Sequence, residues 1–111
     1  MRISYSSNKL KKSVSTLSEI KKAYGNLAKL VNQRKNELEA APSLQTLASI
    51  PAAKCHELTG NFAGKLAISV SVNHRIIFEP DHDPIPREED GGLDWSEVTD
   101  ILIISIGEDY H

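Results

Sequence analysis

The chain has a single cysteine, Cys55, among its 111 residues, so no intrachain disulfide can form. One domain spanning 1–111 is long enough to bury a core without disulfide or metal staples, and a lone thiol fits a reducing cytoplasm. Cys55 itself reads as a small buried hydrophobe rather than a nucleophile. No apolar run approaches the ~20 residues that a membrane span requires, and none is expected to enter a bilayer. The segment MRISYSSNKLKK lacks the apolar block of a secretory signal, which again points to the cytoplasm. Internal repeats and low-complexity tracts are missing too, and 40% apolar residues exclude a largely disordered chain. Gly-rich phosphate loops and nucleophile elbows do not occur. The four histidines, His56, His74, His82 and His111, lack the short paired spacing of a zinc site. Asp81-His82-Asp83 lacks the other positions of a calcium loop. No metal or other cofactor is therefore expected.

The net charge of −2 hides an uneven distribution. Residues 1–54 carry ten Lys/Arg and three Asp/Glu, a charge of +7, whereas residues 55–111 carry three Lys/Arg and twelve Asp/Glu, a charge of −9. A basic half can meet phosphates that an acidic half repels, although two solvated surfaces would have the same composition.

Arg2–Tyr5 alternates polar and apolar residues and suits a short edge strand. Thr16-x-x-Glu19 matches a capping box, with Leu17, Ile20 and Tyr24 following at helical spacing. Gly25 is placed to end that helix and Asn26 to cap the next. In the second helix Leu27, Leu30, Val31, Arg34 and Leu38 share a face, and Pro42 ends it. Ser43 to Ile50 forms a further short turn of helix before Pro51. The second half reads as β. Leu66, Ile68, Val70 and Val72 alternate with smaller residues and predict a strand with one buried face. Asn73-His74 turns the chain into a return strand from Arg75 to Glu79, which Pro80 ends. An acidic loop at 80–98 follows, pinned back by Leu93 and Trp95. Ile101 to Ile106 forms a core strand that delivers Asp109, Tyr110 and His111 to one edge of the domain.

The groups left to do chemistry are His56, Arg75, Asp109, Tyr110 and His111. RNA can be cut without a metal because its own 2′-hydroxyl is the nucleophile. The enzyme then supplies a base for that hydroxyl, a cation for the developing phosphorane charge and an acid for the leaving 5′-oxygen. Imidazole suits either proton role, and Arg can grip phosphate through two parallel hydrogen bonds. Tyr can stack on a base or donate a proton.

The run HELTGNFAGKLAISVSVNHRIIFEP, followed by a strand and terminal DYH, resembles the HigB branch of the RelE/ParE toxin superfamily. The acidic loop is similar to that of a longer subgroup, the killer suppression or plasmid maintenance system killer proteins. The resemblance implies an α+β fold, a small antiparallel sheet with two to three N-terminal helices packed on one side. It also implies the toxin of a type II toxin–antitoxin system, a ribosome-dependent mRNA endoribonuclease acting in the A site. A helix-turn-helix antitoxin would silence it, and operator DNA would be reached only through that antitoxin. Carried onto this chain, the resemblance makes His56, Asp109, Tyr110 and His111 the catalytic set. Arg75, with His74 and Lys65, becomes substrate-binding. Which histidine is base and which acid stays open. So do two other functions: a ParE-like toxin that targets a topoisomerase, and an inactive binding module that only regulates transcription with its antitoxin.

Overall fold

The structure, a computed structural model, describes residues 1–109, with Glu108 and Asp109 described by their backbone alone. A five-stranded sheet carries the helices on one face. In chain order the elements are β1 (Arg2–Tyr5), α1 (Asn8–Ser13), α2 (Leu17–Tyr24), α3 (Ala28–Ala40), α4 (Leu44–Ala48), β2 (His56–Glu57), β3 (Leu66–Ser71), β4 (His74–Pro80) and β5 (Asp100–Asp109). The strand order across the sheet is β1-β5-β4-β3-β2.

The α+β class is as expected, with one difference within the sheet. β2, β3, β4 and β5 pair antiparallel, but β1 pairs parallel to β5, with Ile3 opposite Ile101 and Tyr5 opposite Ile103. The sheet is therefore mixed. A parallel pair needs a long crossover, and here all the helices lie between the two strands.

Local chemistry sets the helix ends. The Ser7, Thr16 and Ser43 hydroxyls accept from the backbone N–H three residues on, starting α1, α2 and α4. Gly25 terminates α2 at φ 52°, a conformation that side-chain-bearing residues rarely adopt. Asn26 does not cap α3. It sits in a single 3₁₀ turn, Gly25–Leu27, and α3 starts without a side-chain cap. The ammonium of Met1 donates to the carbonyls of Leu38, Glu39 and Ala41, placing positive charge at the C-terminal end of α3.

Helix and sheet meet across an aliphatic core. Ile20, Val31, Leu38, Leu44 and Leu47 come from the helices; Leu66, Ile68, Ile76, Phe78, Ile101 and Ile103 come from the sheet, all essentially inaccessible. Val72 departs from the expected stripe: it is 91% exposed because the hairpin turn falls at Val72–Asn73, and His74 already belongs to β4. Ile104 and Gly107 are extra residues in the β4–β5 ladder, where Ile77 pairs with Ser105 and Arg75 with Glu108. Gly107, at φ 82°, makes the second bulge without a Cβ penalty. Both bulges lie in the half of β5 beyond β1, near its C-terminal end.

The 80–98 segment is pinned as its apolar residues suggest. Leu93 and Val98 are buried, the Trp95–Glu97 turn lies against α4, and Leu44 N donates to Val98 O at 2.9 Å. His82 Nε2 adds two acceptor contacts, from Thr99 N at 3.1 Å and Asp100 N at 3.2 Å. This histidine clamps the loop to the start of β5.

Candidate functional site

Residues directly opposite one another in antiparallel strands share a face of the sheet. His56 is opposite Ala67, which is opposite Ile77; Ser69 is opposite Arg75; and Leu66 is opposite Phe78. Because Leu66, Ile68, Ile76 and Phe78 enter the helix-side core, His56, Ala67, Ser69, Arg75 and Ile77 lie on the other face. Lys65 and Glu79 continue that face, with Lys65 Nζ 3.9 Å from a Glu79 carboxylate oxygen. This partly exposed pair adds at most ~1 kcal/mol. Phe62, in the short turn before β3, brings its ring to 5.7 Å from the Arg75 guanidinium, a cation–π distance.

Three of the sequence-selected residues, His56, Lys65 and Arg75, therefore share the sheet face turned away from the helices. His74 pairs with Ser71 at the irregular end of the hairpin, one residue beyond a register shift in β3, and its Nδ1 lies 2.8 Å from Ser71 Oγ. The lysines of α1, α2 and α3 belong to the helical layer. Asp109 is in register with His74 at the hairpin end of the sheet. Tyr110 and His111 lie outside the described residues.

The His56 neighbourhood is built by residues that sequence reasoning did not select. His56 is exposed and lines a cavity of about 370 Å³ with Lys54, Ser69 and Val72. Its Nδ1 is 2.8 Å from the carbonyl oxygen of Lys54. Lys54 is the one non-glycine residue with positive φ among the described residues, at φ 49° and ψ 47°. That left-handed conformation costs ~1–2 kcal/mol for an L-residue. Behind it lies Arg34, only 4% exposed on α3. Arg34 Nε donates to Ser69 O at 2.7 Å, Nη2 to Ala52 O at 3.2 Å, and Nη1 to Glu37 Oε1 at 2.8 Å. Its signal in the sequence is an arginine inside an otherwise aliphatic helical stripe. An unpaired cation would not be buried there, so such a residue implies directed acceptors.

Cys55, beside His56, is not a nucleophile by its environment. Burial, and secondarily the Glu57 carboxylate, push its thiol up to about 12. Burial likewise raises the Tyr5 phenol, helped by Glu39 and Tyr24. Among the described residues no three His, Cys, Asp or Glu side chains converge as a metal-ligand set, and no helix is long and apolar enough to cross a membrane.

Superposition on solved structures places this architecture. A YoeB/ParE toxin from Agrobacterium tumefaciens matches 99% of this chain and 100% of its own, with a TM-score of 0.54 at 12% identity. The fold is the YoeB/ParE toxin fold. The YoeB–YefM toxin–antitoxin complex of Staphylococcus aureus, described as a heterotetramer, gives a TM-score of 0.51 at 16% identity over 99% of this chain and 98% of the other. Sequence likeness is far weaker than this shape likeness: no family model and no curated protein sequence matches the chain.

Proposed function

We propose that this chain is the toxin of a type II toxin–antitoxin pair, of the HigB type, and that it cuts mRNA on the ribosome by metal-independent acid–base chemistry. The observation that carries this reading is the shared sheet face, with an imidazole at His56 and cations at Arg75 and Lys65, on a YoeB/ParE toxin fold. His56 and Arg75 are separated by two strand spacings and two residues along the strand, roughly 12 Å between Cα atoms. A phosphodiester lying over Ser69 is within reach of both long side chains.

On this reading one histidine of the pair His56 and His111 removes the 2′-hydroxyl proton. The other, or Tyr110, protonates the leaving 5′-oxygen. Asp109 orients a neighbour, and Arg75 compensates the charge that develops on the phosphorane. Lys65, tempered by Glu79, and His74 at the hairpin end contribute to holding the strand. The partner is an antitoxin, as the Staphylococcus aureus toxin has in YefM. A helix-turn-helix antitoxin would give the pair its operator contact.

The test is inducible expression of the intact chain beside a chain lacking Tyr110 and His111 and beside His56→Ala. Growth arrest with ribosome-dependent mRNA cuts is expected from the intact chain alone, and removal of one proton-transfer group lowers the rate by ~10²–10⁴-fold. Equal arrest by all three with intact mRNA would overturn the nuclease. DNA damage in that case would point to a topoisomerase target.

A further inference from the structure

We infer that Arg34 and the Lys54 carbonyl form one positioning device that fixes His56 in a single tautomer and makes its Nε2 the proton acceptor. The inference rests on the proposed nuclease reading for the use of that nitrogen, but the device is defined by geometry alone. A carbonyl oxygen only accepts, so the 2.8 Å contact with Lys54 O requires the proton on His56 Nδ1. In the neutral ring the lone pair then belongs to Nε2. His56 is exposed at the cavity it shares with Ser69 and Val72, and that lone pair is available there to take a hydroxyl proton. This assigns His56 as base and leaves the acid role to the terminal residues.

The carbonyl is in place only because the backbone before it is held. Lys54 adopts φ 49° at the end of the Pro51–Ala53 turn, where its N–H donates to Pro51 O at 3.2 Å. Left-handed non-glycine residues persist where surrounding structure over-determines them. Here Arg34 does so. One arm of its planar fork reaches Ala52 O inside the turn and another reaches Ser69 O on β3, the strand that pairs with β2 and lines the same cavity. Glu37 takes the third, keeping the buried cation neutralised. The guanidinium thus ties the turn that presents Lys54 to the strand that carries the opposite wall. Lysine, a point charge without a rigid fork, cannot make these three directed bonds together.

The test reads the ring nitrogens of His56 in the ¹⁵N-labelled full chain by long-range proton–nitrogen correlation near neutral pH. The unaltered chain should show protonated Nδ1 and unprotonated Nε2. Lys54→Gly, which adopts positive φ freely, should keep that signature; Lys54→Val, which removes the same side chain but resists positive φ, should lose it. Arg34→Lys should lose it too while remaining folded, and should lower kcat for mRNA cleavage about 10²-fold with KM unchanged. An Nε2–H tautomer in the unaltered chain overturns the inference, as does an unchanged signature in both Lys54→Val and folded Arg34→Lys. If the signature behaves as stated but no RNA is cut, the nuclease reading fails and the device stands.

Discussion

Replacing Arg34 with methionine isolates what a buried cation contributes to this fold. The side chain is 5% exposed and its partner Glu37 20% exposed, so water can replace little of what the guanidinium provides. Methionine fills similar volume along the stem, leaving the carbonyls of Ser69 and Ala52 and the Glu37 carboxylate without their donor. Hydrogen bonds from a charged group are worth ~1.5–3 kcal/mol each, but Glu37 recovers part of its share through partial solvation. Removing one member of a buried pair commonly costs ~3–5 kcal/mol, and that is the loss expected here. Against a total stability of ~5–15 kcal/mol this is a large fraction, and Tm should fall by roughly 10–20 °C. Urea melts followed by circular dichroism measure it, with the slope unchanged if only the native state is affected. The double change Arg34→Met with Glu37→Met should recover ~1–3 kcal/mol relative to the sum of the singles, because the stranded carboxylate is gone. A loss below ~1 kcal/mol in Arg34→Met, with additive singles, would show that the guanidinium is replaceable by solvent and refute the argument.

Three other outcomes follow from the structure. At pH 8 native Cys55 should react with iodoacetamide about 10³-fold more slowly than in the urea-unfolded chain, since a thiol raised from 9.0 to about 12 holds about that much less thiolate; equal rates by mass spectrometry would contradict it. Phe78→Ala, at a fully buried position between Leu66 and Ile103, should cost ~3–5 kcal/mol in urea melts, whereas Val72→Ser, in the open turn, should change stability by less than ~0.5 kcal/mol. His82→Ala should cost ~1–3 kcal/mol and raise amide hydrogen exchange at Thr99 and Asp100, whose N–H groups lose their acceptor; unchanged protection there would show that His82 does not clamp the loop.

Element types were legible along the chain because their signals are local. Val31, Arg34 and Leu38 recur at helical spacing, Leu66, Ile68 and Val70 at strand spacing, and Thr16, Gly25 and Pro42 punctuate them. Two local signals misled. Asn26 looked like a cap, yet the chain spends that residue in a 3₁₀ turn; Val72 continued an alternation that the hairpin had already ended. Of the candidate site, the residue types were visible but their grouping was not. His56, Lys65 and Arg75 lie far apart in the chain, and only the pairing of β2, β3 and β4 brings them to one face. Arg34 and Lys54 gave even less warning, because a buried cation and a left-handed backbone acquire meaning only from partners elsewhere in the chain.

Sequence alone determined the main helix and strand segments, several of their ends, and which ionisable groups the chain possesses, but not α1, β2 or the turn at Val72–Asn73. The segments it determined follow from side-chain periodicity, caps and breakers acting over a few residues. Tertiary structure decided that β1 lies parallel to β5 across nearly the whole chain, that two bulges re-register the end of β5, and that His56, Lys65 and Arg75 share the face away from the helices. Register is a long-range property, and a shift of one residue would turn every one of those side chains to the other face.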